Sequence, residues 1–171
     1  MGGSSSGRWH DHPRAYTVEA CLTLDANRWM REGILQAGVH RTGSWLWEYP
    51  GGQKCSIGYE VRTTDTARPW LRLCYSCPSG STGQWESVEY QVRLATSRPR
   101  FGRLRWYFCC PLGVRGHACG RRVTKLYLPP GGRYFGCRKC HQLTYSSCQQ
   151  SRREANPARR RARWQRLWRT S

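Results

Sequence analysis

The chain has 171 residues, 38% of them hydrophobic, with nine Trp and nine Tyr, so any core it builds is thin and aromatic. It carries 29 Lys plus Arg against 10 Asp plus Glu, a net charge of +19, and no run of about 18 apolar residues that would span a membrane. The charge is one-sided: residues 97–171 contain a single acid, Glu154, and arginine far outnumbers lysine, which occurs only at Lys54, Lys125 and Lys139. A solvated surface normally mixes both signs. An arginine-dominated half points instead to a polyanionic partner, because the planar guanidinium suits bidentate phosphate contacts.

Residues 1–15 read as a flexible tail, since Gly2 to Gly7 offer nothing to bury. His10, Asp11 and His12 fall in this tail, away from any apolar anchor, and are not taken as a metal site. No apolar signal-peptide core follows, which predicts a cytoplasmic protein. In that reducing compartment ten cysteines read as metal ligands and buried thiols rather than as a disulfide framework.

Residues 16–105 read as a helix plus an antiparallel sheet. Thr17 is a helix cap, and Val18, Cys21, Leu22, Trp29 and Met30 lead to the stop at Gly33. Asp25 allows a second start, so one bent helix and two short ones fit equally. Alternation then takes over at Trp45, Trp47 and Tyr49, at Ile57, Tyr59 and Val61, at Leu71, Leu73 and Tyr75, and at Val88, Tyr90, Val92 and Leu94. Turn formers at Pro50–Gly52, Thr63–Pro69 and Pro78–Gly83 separate these runs, which predicts a meander of four or five strands.

Residues 106–146 read as a zinc ribbon. Cys110 and Cys119 form one pair and Cys137 and Cys140 the other, with a strand over Arg121–Leu128 and a turn at Pro129–Gly132 between them. Two such knuckles close a tetrahedron of four thiolates around one structural zinc ion, leaving no open position for catalysis. Eight residues lie between Cys110 and Cys119 where two to four are usual, so this knuckle is an enlarged loop with Gly113 and Gly116 in it. His117 and His141 are the runner-up ligands, and Cys109 points to the other face of its strand. Cys74 and Cys77 also have knuckle spacing, but Cys74 sits in a strand alternation and no second pair accompanies it.

Residues 147–171 read as a basic helical arm. Asn156-Pro157 opens a helix that carries Arg159, Arg160, Arg163 and Arg166, with Trp164, Leu167 and Trp168 as a narrow apolar stripe. In the ribbon Arg121, Arg122, Lys125, Arg138 and Lys139 are interleaved with Tyr127, Tyr134, Phe135 and Tyr145, a mixture suited to phosphate contacts and base stacking. Tyr134 and Phe135 are expected to pack mostly inside.

The run from Trp106 through Cys110-Pro111, Cys119-Gly120-Arg121-Arg122-Val123, Lys125–Gly131 and Tyr134–Cys140 to Leu143-Thr144-Tyr145 resembles a family of small, uncharacterised bacterial zinc-ribbon proteins. The resemblance implies a zinc fold and a bacterial or mobile-element origin, and implies no activity. The resulting expectation is an α+β protein with an N-terminal helix, an antiparallel meander, a zinc ribbon and an arginine-rich helical arm. Its expected work is binding DNA or RNA through phosphate contacts, as an accessory or regulatory subunit of a mobile-element or defence system. A protein-interaction module within a nucleoprotein complex is the second reading. A metal-dependent nuclease drawing on Glu60, Asp65, Glu86 and Glu89 is the third, without a catalytic motif to support it.

Overall fold

A computed structural model describes residues 16–48, 54–78, 84–100, 102–114 and 116–149. The expected tail over 1–15 and the arm beyond residue 149, with Arg159, Arg160, Arg163 and Arg166, lie outside the described residues.

The described chain is mostly antiparallel β, which corrects the α+β expectation. The described residues form ten strands: β1 (Leu22–Asp25), β2 (His40–Glu48), β3 (Lys54–Arg62), β4 (Trp70–Pro78), β5 (Trp85–Ser97), β6 (Arg105–Cys109), β7 (Gly113–Val114), β8 (His117–Ala118), β9 (Arg122–Val123) and β10 (Lys125–Leu128). Among the described residues helix is confined to α1 (Ala26–Arg31), α2 (Ser146–Gln149) and a 3-10 turn at Val18–Ala20.

The expected N-terminal helix fails over its first half for a physical reason. Leu24 buries and Leu22 packs half-buried beside it by alternation, not by helical spacing, because β1 pairs antiparallel with β10, Leu24 opposite Leu126. Helix begins only at Asp25, whose carboxylate accepts hydrogen bonds from the Asn27 and Arg28 amides. The six residues that follow bury Ala26 and Trp29 completely.

Strands β2, β3, β4, β5, β6 and β9 form one sheet in that order. The thirteen-residue β5 pairs with β4 over Trp85–Arg93 and then with β6 over Leu94–Ser97, so the sheet curls as it passes from one neighbour to the next. Its outer face carries cross-strand ion pairs, Arg72 with Glu60 (3.5 Å) and with Glu89 (3.4 Å). Its inner face is apolar: Ile57, Val61, Leu71, Leu73, Val88, Val92, Trp106 and Phe108 bury there, joined in one cluster by Trp29, Leu126, Phe135, Cys110 and Cys137. The sheet and the cysteine-bearing segment therefore share a core.

That core is aromatic. Trp29 sits 5.5 Å from Trp45, 5.1 Å from Tyr59 and 5.9 Å, edge-on, from Phe108. Phe135 stacks on Trp47 at 6.1 Å and meets Tyr75 edge-on at 5.8 Å. Two tyrosine hydroxyls fix the same segment: Tyr75 donates to the Arg133 carbonyl (2.6 Å), and Tyr90 accepts from the Phe135 amide (2.9 Å). Burial raises the pKa of both phenols, Tyr90 to about 12. The approach to the second cysteine pair is thus held by the sheet's inner face.

The strand expected over Arg121–Leu128 is broken. Residues Arg122 and Val123 extend the large sheet as β9, whereas Lys125–Leu128 leaves it to pair with β1. The switch falls at Thr124, whose carbonyl accepts the Ala26 amide at 2.9 Å and so belongs to the start of α1. Phe135 is fully buried as expected, but Tyr134 remains 40% exposed.

Candidate metal centre

The four sulfurs of Cys110, Cys119, Cys137 and Cys140 lie within 4.8 Å of one another. Cys110 and Cys140 Sγ are 3.8 Å apart, and Cys119 and Cys137 Sγ 4.0 Å. A disulfide requires about 2.05 Å, so these are free thiols held around a common point. A cation bound by four thiolates at about 2.3 Å would set tetrahedral edges of about 3.8 Å, and the cluster fits that spacing. Four cysteines are thus close enough to hold a metal ion.

The two knuckles share two backbone hydrogen bonds, an amide two residues on at the first sulfur and a closing amide at the first carbonyl, and differ at the second cysteine, whose amide reaches Sγ only in the second knuckle. In the second, the Lys139 and Cys140 amides donate to Cys137 Sγ, and the His141 amide donates to the Cys137 carbonyl at 3.2 Å. In the first, the Leu112 amide donates to Cys110 Sγ, and the Gly120 amide donates to the Cys110 carbonyl, also at 3.2 Å. Gly120 thus takes the place after Cys119 that His141 takes after Cys140. The six extra residues, 113–118, carry the β7–β8 pairing of Gly113 with Ala118 and Val114 with His117, closed at its base by the Cys119 amide donating to the Leu112 carbonyl at 2.8 Å. With the hairpin set aside, Cys110-Pro111-Leu112 and Cys119 form an ordinary C-x-x-C knuckle. What spacing alone presents as an enlarged loop is a short knuckle carrying an insert.

The knuckles dock face to face. The Cys137 amide donates to Cys110 Sγ across the interface at 3.2 Å. Gly136, just before Cys137, faces Leu112 so closely that a Cβ there would collide with the leucine side chain. It also exchanges both backbone hydrogen bonds with Tyr127, at 2.8 and 2.9 Å, which closes the hairpin leading back from β10.

The thiols are not equivalent. Burial opposes ionisation at Cys137, but amide and thiol donors, the Cys140 amide foremost, outweigh it and lower its pKa to about 7. Burial pushes the Cys110 and Cys140 thiols upward. A cation offsets the cost of gathering several thiolates in one buried place. Arg121 contributes from outside, its guanidinium 3.9 Å from Cys137 Sγ.

The remaining candidates fall elsewhere. Cys109 is buried but outside the four-sulfur group, His117 is on exposed β8, and His141 Nε2 lies 3.2 Å from the Tyr134 carbonyl. Cys74 and Cys77 occupy β4, where residues three apart face opposite sides, and Cys74 stands opposite Glu89 in the register. Glu60 and Glu89 are paired with Arg72, and Glu86 with Arg133 at 2.8 Å.

Arg121, Arg122, Lys125, Arg138 and Lys139 are exposed. Among the described residues Lys125 pairs with Asp25 at 3.5 Å, while the other four have no carboxylate within ion-pair distance. Arg122, Lys125 and Arg138 line one cleft together with Tyr107, Tyr127 and Tyr145. Tyr107 is the member that sequence reasoning passed over. Its only signal is the outward phase of β6, where Trp106 and Phe108 point inward.

Fold and site together define a curled antiparallel β protein with a four-cysteine cluster at one end of its sheet. No family model, curated protein or solved structure matches the chain. No helix among the described residues is long and apolar enough to cross a membrane.

Proposed function

We propose that the protein is a zinc-ribbon nucleic-acid-binding protein, in which one structural zinc ion holds a cationic surface in shape. A closed, four-sulfur donor set is the environment that selects zinc over harder divalent ions, and it leaves no position for substrate. The carrying observation is the placement of cations by the knuckles. Arg121 and Arg122 follow Cys119 and Gly120, Arg138 and Lys139 lie between the second pair of cysteines, and none of the four has a carboxylate partner among the described residues. Guanidinium groups without carboxylate partners, held beside a rigid centre, meet phosphates with little ordering cost.

Fluorescence anisotropy with labelled DNA and RNA at several salt concentrations tests the reading. Affinity is expected to fall by roughly two orders of magnitude or more between about 50 and 200 mM salt, because phosphate contacts release counterions. An affinity indifferent to salt overturns the reading. Elemental analysis is expected to find one zinc per chain.

A further inference from the structure

The cleft that gathers Arg122, Lys125 and Arg138 has a volume of about 670 Å³. That lies within the roughly 300–1,000 Å³ range of pockets that enclose small organic groups. It exists because the chain changes sheets at Thr124: β9 stays beside β6, β10 leaves with β1, and the two diverge. Along β10, Leu126 and Leu128 turn into the core while Lys125 and Tyr127 take the opposite face, beside Asp25 and Thr23 of β1. Tyr107 contributes from β6, the outward neighbour of Trp106 and Phe108. The second knuckle supplies the remaining wall, with the Arg138 guanidinium 5.2 Å above the Tyr145 ring and donating to the Leu143 carbonyl at 3.3 Å.

Three cations and three phenol rings therefore converge from separate elements on one concavity. At Tyr107 the Ser97 hydroxyl donates to the phenol oxygen at 3.2 Å, and that hydrogen bond, with the charges of Arg105 and Arg122, lowers the phenol's pKa. Lys125 shares its charge with Asp25, and Glu19, which also lines the cleft, accepts the Ser146 amide at 3.1 Å; Arg122 and Arg138 have no carboxylate within ion-pair distance among the described residues. Flat rings beside unpaired guanidinium groups recognise a base face with a phosphate next to it. In a duplex the base faces are stacked away, and its width bars it from a cleft of this size.

We propose that this cleft receives one unpaired nucleotide of a single strand, its base against a tyrosine ring and its phosphates at Arg122 and Arg138. The inference rests on the nucleic-acid reading above and adds what that reading lacks, a defined subsite and a preference for single strands.

The test uses the full-length, metal-loaded protein with 12-nucleotide strands of DNA and of RNA carrying a central 5-iodouracil, each free and annealed to its complement. The single strands are expected to bind at least about ten times more tightly than the duplexes, and photocrosslinks are expected at Tyr107, Tyr127 or Tyr145. Tyr145→Leu is expected to weaken single-strand binding by about 5- to 150-fold, the range for losing one stacked base. Arg122→Gln is expected to weaken it and flatten its salt slope by about 0.7, one phosphate contact. Unchanged metal content checks that both variants remain folded. A preference for either sugar supports the inference, since the unpaired base is its subject. Duplex binding as tight as single-strand binding, or crosslinks mapping outside the cleft, overturns it while leaving the salt-dependent reading standing. Failure of every strand to bind removes both.

Discussion

The two knuckles of the metal centre share a hydrogen-bond plan and differ in how much chain they spend on it. The second uses the minimal Cys137–Cys140 spacing; the first spans Cys110 to Cys119 and carries the β7–β8 hairpin between Leu112 and Cys119. Both place an amide two residues after the first cysteine at its sulfur and close on its carbonyl at 3.2 Å. The left-handed residue also differs: it is Gly120 (φ 57°) in the first and Gln142 (φ 52°), one position later, in the second. The contrast teaches that ligand geometry is set by where backbone donors point, and that sequence spacing follows only when nothing is inserted.

The sharpest challenge to this equivalence is ligand removal. Cys110→Ser and Cys137→Ser are each expected to abolish metal binding and melt the segment around both knuckles, read as metal content and near-ultraviolet circular dichroism. Retention of metal by one variant would show that its knuckle is not half of the site. Next in size is the docking contact: Gly136→Ala forces a methyl into Leu112, and a loss of about 1–3 kcal/mol is expected in denaturant unfolding.

Anchorage comes third. The second knuckle hangs from the sheet through Phe135, so Tyr90→Phe, which removes the acceptor for the Phe135 amide, is expected to cost about 1–2 kcal/mol. The same phenol predicts alkaline behaviour: with a folded pKa raised to about 12 against an ordinary 10, stability is intact below pH 10 and declines as pH rises from there towards 12. A pH titration of unfolding by fluorescence checks the sign.

Smaller still are the left-handed positions. Gly120→Ala is expected to destabilise by about 1 kcal/mol, whereas Gln142→Gly, relieving a non-glycine in the same region, is expected to be neutral or slightly stabilising. The smallest effect tests the plan most directly. Deleting residues 113–118 joins Leu112 to Cys119 and is expected to leave metal stoichiometry unchanged; metal loss would show that the hairpin is part of the centre.

The inner-facing alternations of the meander were legible, because Ile57, Val61, Leu71, Leu73, Val88 and Val92 bury on the inner face at even spacings, with Tyr59 and Tyr90 half-buried between them. The four cysteines that meet could be picked out by their pairing along the chain. Two features were not. Val18–Gly33 carries helical spacing and strand alternation at once, and only pairing with β10, about a hundred residues away, decides for a strand at Leu22–Asp25. Likewise Arg121–Leu128 alternates without interruption, yet Thr124 divides it between two sheets because its carbonyl is claimed by Ala26. Long-range partners made both decisions, and local pattern contains no trace of them.

The Leu112–Cys119 bond has a practical corollary. Since the hairpin's two stems return to one closing contact, the chain's length beyond that contact is uncoupled from the sulfurs, and the segment works as a graft port. A reporter peptide or an affinity tag spliced between Val114 and His117 would ride on the outside of the knuckle, leaving the four sulfurs where they are.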